Sequence, residues 1–595
     1  MDIIIRNKPN TKTPDFPFDF EYILQENEIF VETQDVIFFL KSNYSDSTIK
    51  KYLKKSTPLT IEFIQKSFCG DGVWIVIDKK NKQVVFGRDV SGLNSIYYYH
   101  DELEIRVSTI SHKIAREKKL RLNTESVYQF LYFDYLFDGQ SFYNRVKELK
   151  IGEVQCLNKD FKLKPLKPNK INLSYEENKL TEEENILKLR HKIVNAHEKY
   201  INKKNIVFLS GGIDSVAMLI AITDLTETQN IECISYKVMG TKQDETLYAK
   251  SISEKLSVKL DVITTRLSSK LDYDLFVERI QKTNNPYPGI WIFDELGINA
   301  SKTFYAGQDT RLHTPSLNVI DRVAFEIFNL KFTGKKIIFR ALNTALFPLQ
   351  FISGMIYLAG VNSKLIEGLR RALYVFDIER YIRIAYFKAD AFKIKSLGLP
   401  IKNLSKIVGK YKIDISKAFD KRSLYNEIVS LKWREQYVSD IKYMSELVTS
   451  FGGKIAMPFY EKELVEFSST IPFKLSTKKI NGKSQFGSKK VKVSKYVLRQ
   501  ALIDKIDKKT YERSKAVSQT FHLLFNMGLG EVIKKIILEE KLNPKSLIEE
   551  LKLQKFINSF IQNKKPWSIK DEKYLLKIYN LSCLIVYKKI AESDN

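Results

Sequence analysis

The chain has 595 residues, of which 44% are apolar, so it can fill two or more hydrophobic cores, and this argues against large-scale disorder. Its 97 Lys and Arg against 70 Asp and Glu give a formal net charge of +27, which indicates an anionic partner such as a nucleotide, a nucleic acid, an acidic peptide or a membrane surface. The four cysteines lie far apart and form neither a zinc spacing nor a disulfide framework, and charge and proline come too early for a signal peptide, so we expect a cytoplasmic protein.

Residues 1–170 carry short apolar runs separated by turn residues. Gly72–Asp78, Val84–Gly87 and Ile96–Tyr99 are the clearest of these runs, and they predict a β-rich domain.

A polar stretch with two prolines follows at Lys162–Ser174 and predicts a linker into a helix over Thr181–Tyr200. We therefore divide the chain into domains of residues 1–175 and 176–595.

The second domain begins with four apolar strand candidates that alternate with helical patterns: Ile206–Leu209, Ile231–Val238, Val258–Ile263 and Thr303–Ala306. This alternation predicts an α/β fold with a doubly wound parallel sheet. From about residue 318 to the C-terminus the apolar spacing is helical.

One segment, Ala341–Val361, is as long as a membrane-spanning helix of roughly 20 residues. Its polar residues Asn343 and Gln350 and its Pro348 weaken that interpretation. We expect a buried or partner-facing helix, and peripheral membrane contact stays open.

The strongest motif is Ile206–Leu219, IVFLSGGIDSVAML, in which a short strand and a Ser-Gly-Gly turn precede a helix. Such a turn directs backbone N–H groups and a helix N-terminus at phosphate oxygens. Its glycines, 211 and 212, permit close approach, and its serines, Ser210 and Ser215, add hydroxyl donors. Asp214, a carboxylate beside phosphate, predicts a cation such as Mg²⁺.

The loop is no Walker motif, because no Gly-Lys-Ser/Thr closes it. It resembles the SGGxDS signature of the PP-loop ATP pyrophosphatases, which implies ATP as substrate, cleavage between the α- and β-phosphates, and an adenylated intermediate.

Further segments in chain order are similar to the asparagine synthetases. They are Asp244 and Glu245 at a helix start, Met457–Phe473 with Glu461 in place of the usual Asp, the K-x-x-L-R element Lys495–Arg499, and the R-x-K element Arg513–Lys515. By this resemblance, Lys515 lies over the phosphates and stabilises the charge that develops as the amide forms.

The fourth strand leads into Ala306-Gly307-Gln308-Asp309-Thr310-Arg311, where the family has its second acidic loop. The resemblance places Gly307 at the nucleotide and makes Asp309 the second Mg²⁺ ligand, since Arg311 cannot bind a metal. Gln308 cannot act as a base, so the residue that deprotonates the amine stays unassigned.

The first domain resembles class II glutaminases over Val85–Tyr99, VFGRDVSGLNSIYYY, which implies a degenerate αββα domain of the Ntn type. Functional members use an N-terminal Cys as nucleophile. This sequence begins Met1-Asp2, and we expect mid-chain Cys69 to be a buried core residue. Glutamine hydrolysis is therefore not expected.

Together these resemblances predict an AMP-forming ligase that adenylates a carboxylate and joins it to an amine, with macrolactam formation on a peptide as the specific expectation. β-Lactam synthetases and lasso-peptide cyclases are the relatives nearest in logic. The alternatives are an ammonia-using asparagine synthetase or sugar-carboxylate amidotransferase, and an inactive nucleotide-binding scaffold. We expect a small-molecule or peptide substrate, leave open a precursor peptide, a partner protein or a homodimer, and expect no specific nucleic acid.

Overall fold

The computed structural model describes the chain except for residues 8–17, 25–27, 56–58, 138, 175, 239–243, 266–272, 285, 287–301, 308–318, 331–332, 334, 359–363, 388–390, 402–403, 410–420, 433–437, 482–489, 513–520 and 594–595.

The N-terminal part is a sandwich of two antiparallel sheets. Its strands are β1 Asp2–Asn7, β2 Phe18–Ile23, β3 Glu28–Glu32, β4 Val36–Lys41, β5 Val73–Asp78, β6 Gln83–Arg88, β7 Tyr97–His100, β8 Glu104–Ser108, β9 Lys147–Glu148, β10 Val154–Leu157 and β11 Leu163–Pro165. The strand orders are β2-β1-β8-β7-β9 and β11-β10-β6-β5-β4-β3.

Alternation of side chains along these strands builds two layers of core. Ile3, Ile75 and Phe86 pack between the sheets, whereas Trp74 and Val85, one position away on the same strands, join the cluster that includes helix residues. The helices are α1 Asp46–Lys55, α2 Ile61–Ser67, α3 Ser111–Glu117 and α4 Thr124–Phe133. The αββα arrangement is the predicted one.

The predicted strands of the second domain form one parallel sheet. They are β12 Asn205–Phe208, β13 Ile231–Val238, β14 Lys259–Thr265 and β15 Thr303–Tyr305, with β16 Lys454–Ala456 as a fifth. The order is β14-β13-β12-β15-β16, and neighbouring strands pair in parallel. The flanking helices are α5 Glu182–Glu198, α6 Ile213–Thr223, α7 Thr246–Lys255 and α8 Tyr273–Gln281.

The strand order reverses direction at β12, because β13 lies on one side of it and β15 on the other. Ligands of open α/β sheets bind at the carboxyl ends of the strands at such a point. The Ser-Gly-Gly turn follows β12, and Gly307 follows β15, so the topology brings both to this edge.

The C-terminal part is mostly helical. Its helices are α9 Val319–Asn329, α10 Lys335–Leu358, α11 Lys364–Ala372, α12 Ile378–Phe387, α13 Ala391–Ser396, α14 Leu404–Val408, α15 Lys421–Lys432, α16 Val438–Ser450, α17 Lys462–Thr470, α18 Tyr496–Gln500, α19 Lys508–Glu512, α20 Phe521–Leu524, α21 Gly530–Lys541, α22 Leu547–Glu550, α23 Gln554–Ile561 and α24 Glu572–Glu592.

Three expectations need correction. The stretch after residue 318 is not wholly helical, since it contains β16 and the hairpin of β17 Thr477–Asn481 and β18 Lys490–Ser494. The expected linker Lys162–Ser174 contains β11, which extends a sheet through β10. The predicted boundary at 175 falls on a residue outside the described part of the chain and stays a prediction.

The third correction concerns the apolar segment. Helix α10 is long and apolar enough to cross a membrane over Lys335–Ile356, and only 17% of its apolar window is buried. The expectation of a buried helix is therefore wrong, and the alternatives of a partner or a membrane remain.

Buried polar contacts join the two domains. Glu446 of α16 accepts hydrogen bonds from Ser95 Oγ at 2.9 Å and from the Asn284 backbone N–H at 2.9 Å. Asn284 in turn donates to the Thr109 carbonyl at 3.0 Å and accepts from the Ser111 N–H at 2.6 Å. Because a buried polar group that loses its partner is costly, this network fixes the placement of one domain on the other.

Candidate active site

The loop after β12 holds its shape through its own polar groups. Gly211 adopts φ +65°, a left-handed conformation that favours glycine, and Gly212 is the N-cap of α6. Ser215 Oγ accepts from the Ser210 N–H at 3.2 Å and donates to the Gly212 carbonyl at 3.0 Å. Ser215 therefore fixes the loop, whereas Ser210 is exposed and able to meet a ligand.

Gly307 lies against this loop. A Cβ built on it would stand 3.2 Å from the carbonyl carbon of Asp214 and 3.2 Å from the backbone nitrogen of Ser215. The two loops therefore touch through their backbones, and a side chain at residue 307 would push the helix start away. This contact brings together the predicted site residues 210–215 and 307.

Lys495 adds a cation to the same edge. Its Nζ donates to both carboxylate oxygens of Asp214, at 2.6 and 2.5 Å, and the two side chains are only 13% and 14% exposed. Lys495 is the N-cap of α18 and has φ +56°, a sparsely populated conformation for a residue with a side chain. The sequence predicts the K-x-x-L-R element, but it does not predict this contact of the lysine.

The arginine of that element acts on the backbone. Arg499 is buried, and its guanidinium donates to the carbonyls of Ser494, Thr510 and Tyr511 at 2.9, 2.9 and 2.6 Å. These bonds tie both ends of residues 494–511 together just before the R-x-K element. Arg499 thus holds Thr510 and Tyr511, which precede the R-x-K element in the sequence.

Two predicted residues, Lys515 and Asp309, lie outside the described residues, so their roles stay predictions.

Asp244 is described, and its contacts lie at the start of its own helix. It accepts hydrogen bonds from the Thr246 N–H at 3.0 Å and from Lys237 Nζ at 2.6 Å. The hydrogen bond from Lys237 lowers the pKa of the Asp244 carboxyl. The structure therefore gives Asp244 a role at the start of its own helix.

The described residues offer Mg²⁺ a single carboxylate at the loop, that of Asp214, and it is shared with Lys495. Among the described residues there is no group of three or more His, Cys, Asp or Glu that could hold a metal ion. Asp309 would be needed as the second ligand, so Mg²⁺ remains an expectation.

Glu461 occupies a different place from the loop. It is buried, and its carboxylate accepts from Tyr44 at 3.0 Å, Tyr200 at 2.7 Å and Lys199 Nζ at 2.6 Å. Burial lowers the pKa of Lys199, but the charge of Glu461 outweighs this and raises it overall. A Cβ on Gly70 would stand 2.5 Å from the Tyr44 hydroxyl. Because Tyr44 belongs to the first domain, Glu461 joins the two domains.

A cavity of about 510 Å³ lies at the domain junction beside the first residues of the chain. Its lining includes Glu28, Lys41, Lys113 and Glu446, and burial lowers the pKa of Lys41. Asp2 is held by Lys113 at 2.7 Å and by the Ser108 hydroxyl. No cysteine is among the described residues that line this cavity.

Cys69 is half-buried, not fully buried as expected. Burial and then the charge of Glu461 raise the pKa of its thiol, so the reactive thiolate is disfavoured. It does not line the cavity at the junction. The geometry therefore gives Cys69 no role as the missing nucleophile.

Two buried carboxylates, Asp71 and Asp89, face each other across Asn94, whose amide donates to both, at 2.9 and 3.2 Å. Burial and the charge of Asp89 raise the pKa of Asp71 to about 7. Burial likewise raises the pKa of Asp89. They hold the Gly-Arg-Asp segment of the first domain in place, since Asp89 accepts from the Gly72 N–H at 3.1 Å.

Comparison with known proteins yields one family. Residues 368–582 match the family model described as asparagine synthase. No curated protein matches the sequence. Among solved structures, glutamine phosphoribosylpyrophosphate amidotransferase from B. subtilis, complexed with ADP and GMP, is similar over 52% of this chain and 70% of that chain, with 8% identity and a TM-score of 0.18, a score too low to bear on the fold.

The matched region contains the segments Met457–Phe473 and Lys495–Arg499 but not the Ser-Gly-Gly loop. The contact between Lys495 and Asp214 connects that region to the loop. The match supports an ATP-dependent, amide-forming synthetase in general terms. Residues 368–582 are thus similar to asparagine synthase, in agreement with the resemblance of the motifs that they contain.

Proposed function

We propose that the protein is an ATP-dependent synthetase that adenylates a substrate carboxylate, releases pyrophosphate and joins the acyl group to an amine, with a peptide as substrate and a macrolactam as product. The observation that carries this proposal is the ion pair of Asp214 and Lys495. It brings a lysine of the asparagine synthase-like region to a phosphate-type loop at the switch point of a parallel sheet.

The loop suits the β- and γ-phosphates of ATP. Helix α6 begins at Ile213 behind the glycines 211 and 212, so its N–H groups and the positive end of its dipole point to one spot. Ser210 is exposed beside them. Lys495 supplies a full positive charge in a mostly enclosed position, where it stabilises anionic oxygens more than it would in water.

The reaction follows from this placement. A carboxylate oxygen attacks the α-phosphorus, the bond from that phosphorus to the bridging oxygen breaks, and pyrophosphate leaves into the loop. The amine nitrogen then attacks the acyl carbon, the bond to AMP breaks, and the nitrogen loses a proton. Lys495 balances charge on the leaving pyrophosphate, and Lys515 keeps its predicted role at the acyl carbon.

Magnesium would be held by Asp214 together with the predicted ligand Asp309, and it would neutralise phosphate charge. Asp214 must then exchange part of its contact with Lys495, since both oxygens are within 2.6 Å of the ammonium. Lys495 would then be able to contact the phosphates.

An amine from the substrate itself is favoured because the first domain offers no activated thiol. Cys69 has a raised pKa and lies away from the cavity at the junction. The alternative is free ammonia, as in an ammonia-using asparagine synthetase or a sugar-carboxylate amidotransferase.

The test is product analysis with ATP labelled at the α-phosphate. The protein is incubated with Mg²⁺ and either aspartate plus ammonium, or linear peptides with a free N-terminal amine and an Asp or Glu side chain. Labelled AMP with a peptide lighter by one water supports the proposal. AMP with asparagine moves the function to the alternative, and labelled ADP, or no nucleotide product with any acid, contradicts the adenylating synthetase.

A further inference from the structure

The outward side of helix α10 exposes many apolar side chains. Eight large apolar side chains of the helix are between 38% and 74% exposed, among them Ile337, Leu342, Phe347, Phe351, Ile352 and Met355. From Ile337 to Met355 they extend over about 27 Å at about 1.5 Å per residue. Single exposed apolar residues are ordinary, but a continuous strip of this kind marks a contact surface.

The inward side of the same helix contains buried polar side chains. Gln350 is 2% exposed and donates to Asn343 Oδ1 at 2.8 Å and to the Leu373 carbonyl at 3.0 Å. Ser353 is also buried and accepts from Arg370 of α11 at 3.1 Å. A helix on the surface of a water-soluble domain has the opposite arrangement. Helix α10 therefore uses polar groups inside the protein while it exposes large apolar side chains to the outside.

The charges on α10 have one sign. The helix carries Lys335, Lys336 and Arg340 and no acidic residue, and Lys336 and Arg340 are exposed one turn apart. Neighbouring helices α9 and α11 contribute exposed Val323 and Leu369. Apolar side chains bordered by cations are the composition of helices that lie at the surface of an anionic bilayer.

We propose that the strip on α10 rests in the headgroup region of an anionic membrane, with the helix parallel to the membrane plane. We place the helix on the membrane and not across it because it packs against α11 and α13 and its buried Ser353 is hydrogen-bonded to Arg370 of α11. Phe347 and Phe351 enter the acyl boundary, and Lys336 and Arg340 contact lipid phosphates. The protein then acts at a membrane surface, whatever its substrate.

The test is co-flotation of the full chain with vesicles. Phosphatidylglycerol–phosphatidylcholine vesicles should bind the protein, and pure phosphatidylcholine vesicles should bind it at least about tenfold more weakly. A Phe347→Glu/Phe351→Glu variant should lose at least about tenfold in affinity for the anionic vesicles. The reversal Lys336→Glu/Arg340→Glu should remove the preference for anionic lipid. Leu542→Glu, which alters a side chain 85% exposed elsewhere, should bind as the wild type does.

The variants should fold, since the changed side chains are exposed. Circular dichroism of each variant checks that it does. If the phenylalanine variant is folded and floats as well as the wild type, the proposal is wrong. It is also wrong if the wild type fails to bind anionic vesicles. If light scattering then shows a dimer that Phe347→Glu/Phe351→Glu disrupts, a second copy of the chain covers the strip.

Discussion

Two glutamates two residues apart provide a sharp test of the domain junction. Glu461 and Glu463 each pair with a lysine, Lys199 at 2.6 Å and Lys192 at 2.7 Å. Their side chains differ in exposure, 4% for Glu461 and 75% for Glu463. We compare Glu461→Ala with Glu463→Ala. Both variants replace a lysine-paired glutamate by alanine at nearly the same sequence position, and they differ in how deeply the glutamate is buried.

The expected cost follows from the partners left behind. Glu461→Ala deprives the hydroxyls of Tyr44 and Tyr200 of their acceptor, and both tyrosines are almost fully buried. An unsatisfied buried hydroxyl costs about 1–3 kcal/mol, so two cost about 2–6 kcal/mol. Lys199 is 32% exposed, so loss of its pairing adds at most about 1 kcal/mol. The exposed pair of Glu463 contributes about 0–1 kcal/mol.

The measurement is urea denaturation, followed by tryptophan fluorescence. One of the four tryptophans, Trp74, is buried in β5 of the first domain. Glu461→Ala should lower the midpoint clearly, by an amount equivalent to about 4 kcal/mol, and Glu463→Ala should barely change it. Equal shifts for the two variants would refute the reasoning that the buried carboxylate joins the domains.

Two further predictions concern the phosphate loop and the paired carboxylates. Gly307→Ala should weaken ATP binding about tenfold in a titration, because the added methyl group meets the backbone of Asp214 at 3.2 Å and must displace the loop. The control is Gly368→Ala, whose methyl group meets only a side chain at 3.7 Å. It should leave the affinity for ATP unchanged. The pKa of Asp71 is raised from 3.8 to about 7, so the folded state keeps a proton that the unfolded state loses, and stability should fall as pH rises from about 4 to about 7. Asp71→Asn should flatten that part of the curve of denaturation midpoint against pH, and an unchanged slope would show that Asp71 is ionised throughout.

The sequence could predict the sheet because parallel strands buried on both faces are short apolar runs, as at Ile206–Leu209. Strand β16 was missed because it has only three residues, one of them Lys454. The hairpin of β17 and β18 was missed because lysines interrupt its apolar residues and two strands have a weak signature.

At the site, the local sequence pattern predicts the Ser-Gly-Gly loop but not Lys495, which contacts it. The Ser-Gly-Gly turn has a mechanism that is visible in six consecutive residues. Lys495 is one lysine among many, and 281 residues separate it from Asp214, so only the folded chain shows their contact. The same holds for Glu461, whose partner Tyr44 lies 417 residues away. Its place in a family motif does not show that it joins the two domains.

The measurement that tests the central claim most directly is the affinity for ATP of Lys495→Ala beside that of Lys505→Ala. Lys505 is a matched control, since it pairs with Asp224 at the other end of helix α6. Loss of a charged contact to phosphate should weaken ATP binding by at least about tenfold in Lys495→Ala, whereas Lys505→Ala should bind as the wild type does. If Lys495→Ala binds ATP as tightly as the wild type, the pair of Asp214 and Lys495 does not mark the phosphate site, and the account is contradicted.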